Sequence, residues 1–174
     1  MTYRERSEYR PPRRIVAFLN RIVALLAAVG FSPRDTVALE VPGRRTGRLR
    51  RTALVRAELQ GSRYLVSLPG EAEWVRNVRA NEYRATICRG LAQSVRLEEV
   101  PAAERAPILK AYLSKGAFSK SPEYEAREFF GVPPNATLED LANIAHHYPV
   151  FRIIEIETVK IVLPRPIEGT ARPN

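Results

Sequence analysis

The chain has 174 residues with 45% hydrophobic content, room and apolar mass for one compact domain without covalent staples. A single cysteine, Cys88, excludes an internal disulfide, and with only His146 and His147 beside it no zinc cluster of usual spacing can be assembled, so no metal site is expected. The formal charge of +9 is uneven: residues 1–100 hold 19 basic side chains, all arginine, against 10 acidic, whereas residues 101–174 hold 9 of each. A guanidinium makes bidentate contacts to phosphate or carboxylate that an ammonium cannot.

Residues 1–34 form a basic segment followed by the apolar run "IVAFLNRIVALLAAVG". Asn20 and Arg21 interrupt it, it is shorter than the roughly 20 residues a bilayer needs, and no small-x-small cleavage site follows. Ile15, Phe18, Leu19, Ile22, Leu25, Leu26 and Val29 recur at helical spacing, which predicts an amphipathic helix. Packing against the domain is the expected use of that helix, and a peripheral seat on an anionic membrane is the alternative. The reading is of a cytoplasmic protein, with the inner membrane face as the alternative site.

From Asp35 the period changes to two. "DTVALEV", "RRTALVRAEL" and "RYLVSL" read as strands joined by the turns "PGRRTGRL" and "QGS". A short helix, "EAEWVRNVRAN", carries Glu71 and Glu73 in its first turn, where the helix dipole favours negative charge. Strands resume in "YRATICR" and "QSVRLEEV", helices in "AAERAPILKAYLSK", "SPEYEAREFF" and "LEDLANIAHH", the last opened by a Thr137 cap, and "YPVFRIIEIETVKIVL" returns to strand. About six strands with single helices between them and no βαβ alternation define an α+β fold, a small antiparallel barrel with an N-terminal amphipathic helix and several connecting helices. The expected division is 1–34 for the N-terminal segment, 35–164 for the barrel domain and 165–174 for a C-terminal tail.

Dinucleotide, phosphate-loop, zinc-protease and hydrolase-elbow motifs do not occur in the sequence. It also carries no helix-turn-helix or RNA-recognition signature and no aromatic residues interleaved with the basic stretch, so nucleic acid is not an expected partner. What stands out is "VPGRRTGRLRRTALVR", residues 41–56, with six arginines. Gly43 and Gly47 let backbone amides approach a ligand, Thr46 and Thr52 add hydroxyls, and strand alternation sends Arg50 and Thr52 to the face opposite Arg51. A ligand site and a solvated hairpin tip both satisfy this pattern. In the short helix, Trp74, Asn77, Val78 and Asn81 share a face; by residue type alone Trp74 reads as core.

"VPGRRTGRLRRTAL", "YLVSLPGEAEWVRNVRAN", "RAPILKAYL" and "YPVFRI", at these separations, resemble the deazaflavin-dependent nitroreductase family, from about residue 35 onward. The resemblance implies a split β-barrel of the flavin-binding type that uses 8-hydroxy-5-deazaflavin (coenzyme F420), with FMN less favoured. This coenzyme joins its ring through a ribityl phosphate to a lactyl oligoglutamate tail. The family places Arg44, Arg45 and Arg50 at the phosphate and tail, together with Thr46 and Gly47 of the turn. Thr52 and Leu54 follow on the next strand, Ser67 and Leu68 lie along the ring, and Trp74 and Arg79 close the site. The implied function is reduction of a small electron-poor acceptor such as a quinone, nitroaromatic or activated alkene; the alternative is a non-catalytic carrier of the deazaflavin or of a lipid-like ligand. Ser67, His147 and Tyr148 are the candidate proton donors.

Overall fold

A computed structural model of the chain describes residues 35–114 and 126–158. The helix expected over residues 15–29, the tail 165–174 and the last residues of the expected final strand lie outside the described residues.

Six antiparallel strands, β1 (Thr36–Pro42), β2 (Leu49–Leu59), β3 (Ser62–Val66), β4 (Arg84–Arg89), β5 (Leu91–Glu99) and β6 (Val150–Thr158), close into a barrel in the order β1-β2-β3-β6-β5-β4. Helix α1 (Glu73–Ala80) follows β3, α2 (Arg105–Ser114) follows β5, and α3 (Leu138–Ile144) precedes β6. The β2–β3 hairpin turns on Gln60 and Gly61, both at positive φ (51° and 74°), as the tight two-residue turn requires.

Alternation along the strands sorts side chains into two packing layers. Leu39, Val41, Leu65, Leu97 and Phe151 point into the barrel, where α1 adds Trp74, Val75 and Val78. On the outside of β2 and β3, Val55, Ala57 and Tyr64 meet Leu109 and Tyr112 of α2 and Leu141 of α3, together with Phe130. β2 is therefore covered on both faces over its second half, which is why "TALV" reads as a nearly continuous apolar run rather than an alternating one.

The expected elements recur with instructive differences. The strand "RYLVSL" ends at Val66, because the Ser67 N–H donates to the Pro149 carbonyl at 2.9 Å and its hydroxyl to the Gly70 carbonyl at 2.6 Å, which starts a turn. Of the helix expected over 121–130, the described part, Ala126–Phe130, is a single π-turn. The Thr137 cap is a full capping box: Thr137 Oγ1 accepts from the Asp140 N–H at 3.1 Å, and the Asp140 carboxylate accepts from the Thr137 N–H at 2.8 Å. That second bond holds the Asp140 carboxyl below its ordinary pKa, so its contribution is present above the usual carboxylate range and is lost as pH falls through the folded value.

Cys88 packs with Ala38, Ala53 and Ala92 on the outer face of the barrel. Burial is the main cause that pushes its thiol up to about 11, with the nearby Glu40 carboxylate adding to it. In the folded protein at pH 8 this thiol should resist a thiol-specific aromatic disulfide reagent and react only after denaturation; rapid labelling of the native state would show an activated thiol instead.

Candidate functional site

The β1–β2 connection is a rigid tip. Pro42 pairs with Leu49, and inside that pair the Gly43 N–H donates to the Arg48 carbonyl at 2.9 Å, while the N–H groups of Thr46 and Gly47 both reach the Gly43 carbonyl at 3.1 and 2.8 Å. Gly47 sits at φ +66°. A Cβ on Gly43 would stand 3.2 Å from the Arg48 carbonyl oxygen and 3.4 Å from Arg50 Cγ, so glycine here is what lets the Arg50 side chain lie against the turn.

The arginines of this stretch divide by partner. Arg44 ties the tip to α1: its backbone N–H donates to Asn77 Oδ1 at 3.1 Å, and its guanidinium to Glu73 Oε2 at 2.5 Å and Oε1 at 3.4 Å. The Arg44 hydrogen bond holds the Glu73 carboxyl below its ordinary pKa, and the Glu73 bond raises that of Arg44. Arg51 pairs across the strands with Glu40. Arg45, Arg48 and Arg50 are exposed and, among the described residues, carry no ion pair. Among the described residues they leave three guanidinium groups around one turn outside ion-pair distance of any carboxylate, although the Arg45 charge still helps to hold the Glu73 carboxyl down.

Register confirms that Arg50 and Thr52 leave β2 on the side opposite Arg51: they pair with the inward-facing Val41 and Leu39, whereas Arg51 pairs with Glu40. Leu54 continues that inward row and is buried. Trp74 is only 5% exposed inside the barrel, with its ring centroid 5.4 Å from that of Phe151 in an edge-to-face contact. Leu68 is half-buried against the outer apolar cluster.

Arg79 is engaged on both sides, by Glu99 at 2.7 and 2.8 Å and by Glu71 at 2.6 and 3.1 Å, which raises its pKa further. Glu99 Oε1 also accepts from Arg105 Nη2 at 3.3 Å. The buried Arg105 then donates to the carbonyls of Val100, Ala145 and Tyr148 at 2.8, 3.3 and 3.2 Å. A continuous polar chain thus links α1, through the end of β5, to the turn Ala145–His147 that leads into β6. Sequence reading passed over Arg105 and Glu99 as site-building residues and placed Asn77 only on a helix face with Trp74; the helix position of Arg105 was the available signal, but two of its three carbonyl partners lie some forty residues away.

The three candidate proton donors are placed differently. The Ser67 hydroxyl is fully buried and donates to Gly70, and the Tyr148 hydroxyl donates to the Phe129 carbonyl at 2.8 Å. His147 is half-buried beside His146, and burial holds its pKa below the ordinary value. Among the described residues no group of three or more His, Cys, Asp or Glu could hold a metal ion, and no helix is long and apolar enough to cross a membrane.

The closed six-strand antiparallel barrel, with a cation-bearing turn at its rim, is the split-barrel architecture. The chain belongs to the family described as F420H(2)-dependent quinone reductase, whose model matches residues 13–128. It is an oxidoreductase whose coenzyme is the deazaflavin F420. No curated protein matches the chain. Similar solved structures include an F420-H2-dependent reductase, FDR-A, at 20% identity over 69% of this chain and 94% of that chain, TM-score 0.46. Another is a conserved hypothetical protein of Mycobacterium tuberculosis, at 16% identity over 91% of this chain and 82% of that one, TM-score 0.46. A third is an FAD-binding protein of Mesorhizobium loti, at 19% identity over 81% of this chain and 90% of that one, TM-score 0.42.

The residues present fit this coenzyme on one physical point. A phosphodiester and a string of carboxylates need cations that are not already neutralised, and Arg45, Arg48 and Arg50, with no ion pair among the described residues, would supply them on a turn that is held in shape by its own backbone bonds.

Proposed function

We propose that the protein reduces a small, flat, electron-poor acceptor, a quinone, nitroaromatic or activated alkene, at the expense of reduced F420. In this reading Arg45 and Arg50, with Thr46 and Gly47, take the phosphate and acidic tail, and Arg44 holds the tip against α1 rather than reaching the ligand. Thr52 borders the same face. The observation that carries the reading is the exposed guanidinium cluster, which forms no ion pair among the described residues, in a member of an F420-dependent family. When bound, the deazaflavin supplies the two-electron reduction, so the protein's share is binding, orientation and polarity.

Ser67 and Tyr148 direct their protons at backbone carbonyls, so in this reading they shape the end of β3 and the entry to β6 and take no part in proton delivery. Burial lowers the His147 pKa and so disfavours its charged form, and in this reading solvent protonates the product. His147→Gln should therefore change steady-state turnover by less than about tenfold, whereas removal of a general acid typically costs on the order of a hundredfold or more. A loss of that size, with folding intact, would put the proton on His147.

The acceptor class is tested by single-turnover absorbance decay of protein-bound reduced coenzyme. Productive reaction needs the acceptor within about 3 to 3.5 Å of the reacting ring carbon. At least one class among small quinones, nitroaromatics and enones should be reduced faster on the protein than by free coenzyme. Protection of the coenzyme from all three would overturn the reading in favour of a carrier.

A further inference from the structure

On the outside of the barrel, β1, β4, β5 and β6 enclose a groove of about 670 Å³ that none of the sequence-predicted site residues lines. Glu40 pairs with Thr86, Thr86 with Ser94, and Arg84 with Arg96. Arg84 and Arg96 are exposed and face each other directly across two antiparallel strands, an arrangement in which like charges repel. Among the described residues neither has an ion pair. The other charges on the groove do not satisfy them: Glu40 is engaged by Arg51, and Glu82 stands exposed at the rim without an ion pair among the described residues. Leu49 and Ile156, 61% and 58% exposed, supply apolar wall.

One end of this groove is the base of the arginine turn, since Pro42 and Leu49 line it and are the last pair before Gly43. Arg96 lies three strands away from Leu49, roughly 14 Å at the usual strand spacing. A ligand with one anion at Arg45 and Arg50 and further carboxylates spaced along a flexible chain would meet its second pair of cations here.

We propose that Arg84 and Arg96 form a second anion station, which takes a glutamyl carboxylate of the coenzyme tail after the first anion is held at the turn. This rests on the coenzyme reading above. Without ligand the paired guanidinium groups repel; with it, one carboxylate bridges them.

The test is equilibrium binding, read by fluorescence titration at low ionic strength, of monoglutamyl and longer oligoglutamyl forms of the coenzyme to the full chain and to the R84Q/R96Q double variant. Exposed ion pairs are weak individually, so the wild-type protein should prefer the longer tail by about fivefold, and the preference should shrink as salt rises. The double variant should lose that preference while keeping the monoglutamyl affinity, and its melting temperature without ligand should be equal to or above that of the wild type. A length preference that survives in the double variant, or is lacking in the wild-type protein, overturns the station. So does an equal weakening of both forms, or a raised KM for the acceptor at unchanged coenzyme affinity, which would give the groove to the acceptor. If the wild-type protein bound neither form, the coenzyme reading itself would fail, and this inference with it.

Discussion

Arg105→Leu should destabilise the protein by about 3 kcal/mol or more, the cost of removing one partner from a buried charged network. Arg105 is 7% exposed and donates to the carbonyls of Val100, Ala145 and Tyr148. Leucine would take that donor from the Val100 and Tyr148 carbonyls, leave the Ala145 carbonyl with only the Tyr148 N–H at 3.2 Å, and leave Glu99 with only Arg79. Burial already pushes the Arg105 pKa down, with Glu99 opposing that shift, so the charge is kept in place by its partners. For a chain of this size the loss corresponds to roughly 6 to 12 °C in Tm. Arg105→Lys should recover only part of it, because an ammonium cannot spread over three carbonyls and a carboxylate as the planar fork does. A thermal or urea melt that moved by less than the equivalent of about 1 kcal/mol in the leucine variant would mean that the chain linking α1 to the β6 entry carries little of the fold.

The second large effect is on binding rather than folding. Arg45→Ala combined with Arg50→Ala should weaken F420 binding by about a hundredfold or more, since each charge-assisted contact is worth roughly 1.5 to 3 kcal/mol. Neither side chain has an ion pair among the described residues, so stability should change by no more than about 0.5 kcal/mol. Arg44→Ala makes the contrast: it removes the guanidinium contacts of the tip to Glu73 and Asn77, and its effect on affinity should be smaller. The wild-type affinity should also fall with added salt, because the cluster is exposed and screened at a Debye length of about 8 Å at 0.15 M. Equal dissociation constants for the double variant and the wild-type protein would reduce the turn to a solvated hairpin.

Much of this was legible in the residues themselves. Alternation in "DTVALEV" and "RRTALVRAEL", with glycines at the turns, located β1 and β2 to within a residue or two, and their period placed Arg50 and Thr52 opposite Arg51. The Thr137 cap was readable because capping is decided within four residues. What failed to show was long-range. That Arg79 is also held by Glu99, and Arg44 by Glu73, depends on how α1 is clamped to the barrel, which no local pattern encodes. The same clamping turns Trp74 into the core, in line with its residue type and in tension with a role at the ring. Arg84 and Arg96 are twelve positions apart and unremarked in sequence; only the β4–β5 register sets them face to face.

The most direct test of the account is a comparison of dissociation constants for reduced F420, for the same deazaflavin lacking phosphate and tail, and for FMN, measured on the wild-type protein and on the Arg45→Ala, Arg50→Ala double variant. F420 should bind the wild-type protein at least about tenfold more tightly than either comparison ligand, and the double variant should lose most of this advantage. FMN binding as tightly as F420, or an F420 advantage untouched by loss of both arginines, would contradict it.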